Sequence, residues 1–339
     1  MPTIKDVARQ AEVSIGTVSN VLNNVPTVST TIRRRVLKAM RELDYRPNRV
    51  ARSLVSGRTQ TIAFIIPDIC NPFFPEMVRG AAGRAGKSGY SLFLGNADND
   101  VKMEIDYIRH FISQGVDGLV LVTSAHSGPD SIVAEEIRNL DLPLSLVDRE
   151  IEGVDRDLVI IDNVRCAETA VNHLLDSGRK RIGLITGPLE TMTARQRLEG
   201  GRRALQTRGS FDEALVHSGA FTMESGFGIM TNLLKSGPRD VDAVFCANDM
   251  IAIGAMKAIE EEGRRVPEDI AVVGFDDLYL SSLIKPPLTA IRQPAHDLGT
   301  IAVSMTIERI EGIASGSSRK VILPGELMIR ESTRKPEKR

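Results

Sequence analysis

Polar side chains stand just past several aliphatic runs: Asn71 after TIAFIIPD, Asp148 and Arg149 in PLSLVDR, Asn248 in AVFCAND, Asp276 in IAVVGFDD and Gln293 in LTAIRQP. Thr186, Asp249 and Asp277 hold comparable places. Carboxylates, amides and guanidinium groups make paired hydrogen bonds with adjacent hydroxyls, and Phe73 and Phe74 of NPFF, with Phe221 of GAFTMESGF, add flat faces for sugar C–H groups. This is chemistry for gripping an uncharged polyol. Each member has an ordinary alternative, since Asp and Asn at strand ends cap helices and phenylalanines fill cores. Repetition of the pattern in both halves of the chain favours the binding reading.

A second constellation lies near the start, in VSIGTVSNVLNN. Val18, Val21 and Leu22 form one apolar helical face, while Ile15, Gly16, Thr17 and Asn20 leave the opening turn small and almost uncharged. A glycine inside a helix costs about 1 kcal/mol relative to alanine, a sacrifice suited to a place where something approaches closely. Such a surface can enter a DNA major groove: Asn20 pairs with an adenine edge, and Ile15 and the Thr17 methyl meet thymine methyls. Lys5 and Arg33 to Arg35 are then positioned for phosphates. A small helical bundle with a solvated face is the competing reading, and the charge distribution weighs against it. Through Arg58 there are eleven Lys and Arg against four Asp and Glu; the rest of the 339 residues carry 32 against 40. One end suits a polyanion and the other does not.

Other chemistries find little support. The cysteines Cys70, Cys166 and Cys246 are odd in number and far apart, the five histidines form no HExxH, and no metal or cofactor site is expected. GAAGRAGKSG would match a phosphate loop only with Gly at position 81, where Ala81 stands, and no GxGxxG follows the first apolar run, so no enzyme and no catalytic residue are expected. No run of roughly 18 apolar residues suggests a membrane span. MPTIKDVARQ lacks export features, which points to the cytoplasm.

The elements that must position these residues follow from periodicity. Ile4, Val7, Ala8 and Ala11 mark a first helix with Thr3 as its cap, Ser14 caps the second, and Ile32, Val36, Ala39, Met40 and Leu43 stripe a third. Together they predict a small all-α head. Beyond residue 60, runs such as SLFLGNAD, GLVLVTS, LVIIDN and RIGLITG alternate with helical segments that end in glycine. Runs of Val, Ile and Leu without polar alternation predict parallel strands covered on both faces, so the body is expected to be α/β, with two doubly wound parallel-sheet lobes. Ligands of such sheets sit outside the carboxyl ends of the strands. Between head and body, YRPNRVARSLVSGR places Pro47 at a helix start and Asn48 to Val55 in about two turns before Gly57, too short to fold alone. It reads as a linker, or as a switch that orders when DNA and a second copy supply contacts.

TIKDVARQAEVSIGTVSNVLNN, then VST and LDYRPNRVARSLVSGRTQTIAFIIPD, resembles the LacI/GalR family of bacterial transcription regulators, and the likeness runs to about Ser332. The resemblance implies a helix-turn-helix domain (1–45), a hinge helix or linker (46–58) and an effector-binding and dimerisation domain (59–339) of type I periplasmic-binding-protein architecture. Its N-lobe is expected at about 60–161 and 293–322, its C-lobe at about 162–291 and 323–332. It implies DNA contacts from Thr3, Lys5, Ser14, Ile15, Gly16, Thr17, Ser19, Asn20, Asn23, Val28, Asn48, Ala51 and Leu54, with Leu54 as a wedge in the central base step. Ile15, Gly16 and Asn20 match positions that vary with operator sequence.

The body is also similar to type I periplasmic sugar-binding proteins and to ribose-responsive members of the family. That likeness implies effector contacts from Asn71, Phe73, Phe74, Asp148, Arg149, Thr193, Arg197, Phe221, Asn248, Asp276 and Gln293. Thr191 and Arg149 stand where purine-responsive members carry arginine and tryptophan, which speaks against a purine corepressor. The expected partners are a pseudo-palindromic double-stranded operator, a ribose-like sugar and a second copy of the chain, with no membrane. The expected activity is repression of a sugar operon, relieved by sugar in the cleft. A corepressor response, another sugar, or a solute-binding role are the alternatives. A tetramerising leucine-rich tail is not expected after Ser332, where TRKPEKR stands.

Overall fold

A strongly basic head and an aliphatic-rich body fold as two compact units, 1–59 and 60–339. The computed structural model describes residues 2–22, 25–45, 57–124, 131–235 and 241–334. Asn23, Asn48, Ala51 and Leu54, and most of the expected hinge segment, lie outside the described residues.

In the head, α1 (Ile4–Gln10), α2 (Ile15–Leu22) and α3 (Thr30–Glu42) bury Val7, Ala8, Ala11, Val18, Val21, Val36 and Ala39 together. The Asp6 carboxylate accepts from both the Thr3 amide (2.9 Å) and the Thr3 hydroxyl (2.7 Å), closing the first turn of α1. Those bonds hold the exposed Asp6 below the usual carboxylate range. The Ser14 hydroxyl accepts from the Thr17 amide at 3.1 Å and starts α2. Glu12, at φ 49°, makes the sharp turn between the two helices.

The body contains two six-stranded sheets. In the first, β1 (Thr61–Ile66), β2 (Ser91–Asn96), β3 (Gly118–Leu121), β4 (Leu144–Val147), β5 (Asp157–Ile161) and β11 (Lys320–Leu323) run parallel in the order β11-β5-β4-β3-β1-β2. The second repeats the plan with β6 (Ile182–Thr186), β7 (Val216–Ser218), β8 (Ala243–Cys246), β9 (Ala271–Asp276), β10 (Thr289–Arg292) and β12 (Glu326–Met328), in the order β12-β10-β9-β8-β6-β7. Among the described strands only β12 is antiparallel to its neighbour. Every residue of β1, β3, β4, β5, β6, β8 and β9 is buried, as strands covered on both faces require. Strands β7, β11 and β12 were not among the expected runs. They are short edge strands of mixed polarity, and periodicity alone does not mark them.

Helices α4 (Phe73–Lys87), α5 (Val101–Ser113), α6 (Ile132–Arg138) and α11 (Ala295–Ile310) cover the first sheet; α7 (Asn163–Asp176), α8 (Met192–Thr207), α9 (Met223–Lys235) and α10 (Asp249–Glu261) cover the second. At the crossing of α4 and α11, a Cβ on Gly80 would lie 2.0 Å from the His296 carbonyl oxygen, and one on Gly299 would lie 2.0 Å from that of Met77. Only glycines permit that approach. The chain passes between the sheets at residues 162–163, 293–294 and 324–325, which follow β5, β10 and β11.

Candidate functional site

The carboxyl ends of the strands in both lobes gather the polar residues singled out from sequence. On the second lobe, Asp276 ends β9 with φ 117°, and its Oδ1 accepts from Gln293 Nε2 at 2.6 Å. Arg197, from α8, places a guanidinium nitrogen 3.6 Å from the same oxygen. That guanidinium donates to Asn163 Oδ1 at 2.8 Å and to the Ala247 carbonyl at 2.7 Å, and lies 3.9 Å from the centre of the Phe275 ring. A planar donor fork held on three sides has little freedom left to lose on binding. Asn248 caps α10 by accepting from the Ile251 amide at 2.9 Å, and its amide donates to the Phe221 carbonyl. Gly187 leaves room for the Phe221 ring, since a Cβ there would lie 2.2 Å from Cζ. Thr193 is buried in the first turn of α8.

On the first lobe, Asp148 follows β4 with φ 66°, and Arg149 comes next. Arg149 donates to the Thr123 carbonyl at 2.7 Å and the Ser124 carbonyl at 3.3 Å; its Nε lies 3.6 Å from Asp148 and its guanidinium 5.8 Å from the Phe74 ring centre. Phe73 and Phe74 are not in a loop, as NPFF suggested: they form the first turn of α4 behind Pro72, with ring centroids 5.3 Å apart and nearly perpendicular. Asn71 accepts from the Phe73 amide at 3.1 Å and turns the chain into that helix.

Electrostatics tie the two poles together. Burial pushes Asp276 up to about 7 against the pull of Arg197 and Gln293, and raises Asp148 against the pull of Arg149 and Arg197. Asp148 feels the arginine of the other lobe, and Asp276 feels both Asp148 and Arg149, so the poles face one another across the cleft. When both carboxylates are ionised they balance the two guanidiniums, which suits a neutral, hydroxyl-rich ligand. Arg149 Nε and Gln293 Oε1 are buried without a hydrogen bond among the described residues, one a donor and the other an acceptor. A cavity of about 800 Å³ opens at the edge of this cluster, lined by Phe73, Asp276 and Gln293 and, farther out, by Glu76, Tyr279 and His296. Asp148, Arg149, Arg197 and Asn248 lie deeper, outside that cavity.

Two of the strand-end residues turn out to be internal supports. Asp249 accepts from the Leu278 amide and the Ser281 hydroxyl, and the Thr186 hydroxyl donates to the Ala194 carbonyl. Glu104 and Asn163, which do support the site, were missed. Glu104 reads in sequence as one more acidic residue in a helix's first turn, and Asn163 as a helix start.

In the head, Ile15 (45% exposed), Gly16 and Asn20 lie on the open face of α2, and Thr3 and Lys5 are exposed on α1 and its cap. Thr17 and Ser19 are half-buried, the Ser14 and Thr17 hydroxyls bond each other at 2.9 Å, and Val28 packs on the head core. Nothing in the fold requires glycine at position 16, where a Cβ would come no closer than 3.7 Å to Ser14 Oγ. Two of Arg33 to Arg35, expected to hold phosphate, also make bonds within the head. Arg33 donates to the Val25 carbonyl, and Arg35 to the Ala11 carbonyl at 2.6 Å and the Glu12 carboxylate at 3.1 Å. Carbonyls left open in the turns between helices each take one guanidinium nitrogen, with Arg33 half-buried and Arg35 still exposed. Arg34 remains exposed. Among the described residues no group of His, Cys, Asp and Glu could hold a metal, and no helix is long and apolar enough to cross a membrane.

A three-helix head with an uncharged reading face, joined to two doubly wound lobes around a polyol-type cleft, defines a ligand-responsive DNA-binding regulator by its architecture. Comparison with known proteins agrees: residues 3–48 match the model for bacterial regulatory proteins of the lacI family, and residues 59–331 that for periplasmic binding proteins and the sugar binding domain of the LacI family. The chain belongs to the lacI family of bacterial regulatory proteins. It is 38% identical over 333 residues to the HTH-type transcriptional repressor CytR of Escherichia coli (strain K12), covering 98% of this chain and 96% of that one. It is 36% identical over 334 residues to the ribose operon repressor of Halalkalibacterium halodurans, covering 98% of each. Among solved structures, the lac repressor dimer bound to operator and the anti-inducer ONPF is similar with a TM-score of 0.86 at 30% identity, covering 98% of this chain and 99% of that one.

Proposed function

We propose that this chain represses a sugar-uptake or sugar-breakdown operon in the cytoplasm, and that a ribose-like sugar in the interlobe cleft releases it from its operator. In this reading residues 1–45 read DNA, 46–58 form the hinge and 59–339 bind sugar and dimerise. Base edges meet Ile15, Gly16 and Asn20. Thr3, Lys5, Ser14, Thr17, Ser19, Asn23, Val28, Asn48 and Ala51 position the duplex, and Leu54 wedges its centre. Sugar hydroxyls pair with Asn71, Asp148, Arg149, Thr193, Arg197, Asn248, Asp276 and Gln293, between the rings of Phe73, Phe74 and Phe221. Two copies place their α2 helices in successive major grooves about 34 Å apart. No catalytic step and no cofactor enter this scheme.

One observation carries the reading. The two C-lobe groups that would grip the ligand are each bonded to a residue where the chain passes between lobes: Arg197 to Asn163, and Asp276 to Gln293. A ligand that pulls on Arg197 and Asp276 therefore pulls on the connections that set the angle of the N-lobes. Because linkage is reciprocal, a sugar that loosens operator binding must itself bind the DNA-bound form more weakly.

The test is a thermal-shift panel of pentoses, hexoses and nucleosides, followed by operator titration with each binder. A ribosyl compound with a second ring is a specific further reading, because the 800 Å³ cavity adjoins Phe73, Asp276 and Gln293. Stabilisation by ribose, with loss of operator affinity, supports the proposal. A panel in which only hexoses act, or in which the sugar tightens operator binding, rejects it.

A further inference from the structure

Glu104 is completely buried at the first turn of α5, a helix capped by Asp100, whose side chain accepts from the Lys102 and Met103 amides. Its carboxylate accepts from the Thr123 hydroxyl at 2.9 Å and from the Ser124 amide. The carbonyls of these same two residues receive the Arg149 guanidinium. A buried carboxylate without a purpose is costly, and a well-packed apolar residue would serve an ordinary helix better. Here it holds residues 123–124 through the Thr123 hydroxyl and the Ser124 amide, while Arg149 takes their carbonyls. Burial raises Glu104 above the ordinary carboxylate range, while its hydrogen bonds to Ser124 and Thr123 and the charge of Arg149 pull it back.

We propose that Glu104 is a positioning residue for the effector: it touches no ligand, but holds the carbonyl pair that orients Arg149, and so sets the direction of that guanidinium in the cleft. The inference rests on the cleft being the effector site, and it places sugar selectivity partly in a residue behind the cleft wall. Arg149 Nη1 makes both bonds to Thr123 and Ser124, which anchors one end of the guanidinium, while Nε has no hydrogen bond among the described residues and is available to a ligand. Loosening those carbonyls lets the guanidinium turn toward Asp148, whose Oδ2 already lies 3.6 Å away.

The test uses the full chain with D-ribose as probe and two variants: Glu104→Met, which keeps the side chain's bulk but accepts from neither Thr123 nor Ser124, and Glu104→Gln, which can repeat both contacts if the Thr123 hydroxyl accepts instead of donating and is expected to bind ribose as the parent does. Glu104→Met is expected to bind ribose about tenfold more weakly, the loss that follows from misplacing one charged hydrogen bond. Sugar-free operator binding is expected to match the parent. In an Arg149→Lys background the same substitution is expected to change ribose affinity by less than about twofold, because its effect passes through Arg149. An equal loss in both backgrounds, or none in either, overturns the proposal. Should Glu104→Met fail to fold, Thr123→Val removes one donor to Glu104 while keeping the carbonyl that receives Arg149, and the same outcomes apply. A ligand-free readout separates this inference from the choice of sugar: the Arg149 Nε–H resonance, assigned by its loss in Arg149→Lys, is expected to shift or broaden in Glu104→Met and to stay in place in Glu104→Gln. An unchanged resonance in Glu104→Met refutes the positioning role, whereas failure of the parent to bind ribose refutes only the sugar assignment.

Discussion

Asp148 and Asp276 occupy the same place in the two lobes. In chain order β4 and β9 are the fourth strands of sheets with matching order, and a buried aspartate with positive φ stands at the carboxyl end of each, Asp148 just after β4 (66°) and Asp276 as the last residue of β9 (117°). An arginine lies 3.6 Å from each carboxylate. Non-glycine residues at such angles carry strain, of order 1–3 kcal/mol, which concentrates where a side chain must be aimed rather than where a chain must merely turn.

Asp148→Gly isolates that aim. Glycine adopts positive φ freely, so the melting temperature is expected to hold or rise, while loss of the carboxylate weakens sugar binding by about tenfold or more. Calorimetric titration alongside thermal denaturation checks both. Unchanged affinity removes Asp148 from the ligand contacts.

The pH response has a definite sign. Burial raises Asp276 to about 7, so between the ordinary carboxylate value and about 7 the folded chain keeps a proton that the unfolded chain has released. This group therefore makes folding progressively less favourable as pH rises through that window, with the penalty complete above about 7. Sugar hydroxyls donate to an ionised carboxylate, so sugar affinity is expected to climb from pH 6 to pH 8, by up to about tenfold per unit below 7. Asp276→Asn should flatten that climb. A parent profile that is level, or that climbs identically in the variant, contradicts ionised Asp276 as an acceptor.

How much of this was legible in the sequence depended on whether a residue's environment lies close along the chain. Val7, Val18 and Val36 announce their burial through helical spacing, and β1, β6 and β9 through unbroken aliphatic runs. Asp148 and Asp276 are visible because each ends such a run. Asp249 ends one as well and looks identical in sequence, yet its partners, Leu278 and Ser281, lie about thirty residues away. Arg33 and Arg35 belong to a basic cluster whose inward bonds exist only once turns expose carbonyls to them. Glu104 is the extreme case, as its role depends on three separate segments meeting: its own helix, Thr123 and Ser124 after β3, and Arg149 after β4.

Asn163→Ala tests the link between grip and hinge. The substitution leaves Arg197 Nε–H without its acceptor and frees Gln196 as well. A buried donor left unmet costs about 1–3 kcal/mol, so some loss of sugar affinity is expected. The diagnostic quantity is different: the ratio of operator affinities without and with saturating sugar, which is expected to shrink by about fivefold. If that ratio stays at the parent value while sugar affinity falls, Asn163 supports Arg197 but does not transmit its position.

Gly16→Ala tests whether the head keeps that glycine for DNA rather than for folding. A Cβ there meets only Ser14 Oγ, at ordinary contact distance, and lies within α2, where alanine is favoured over glycine by about 1 kcal/mol. The variant is therefore expected to melt at the same temperature or higher. On the operator the added methyl stands on the open face between Ile15 and Asn20, where a backbone close to base edges has no room for it. Specific affinity is expected to fall by about tenfold, while affinity for unrelated duplex, carried by phosphate contacts, stays the same. Binding measured on both duplexes at one salt concentration decides the matter, because equal losses on the two, or no loss on the operator, would mean that α2 does not approach the bases at residue 16.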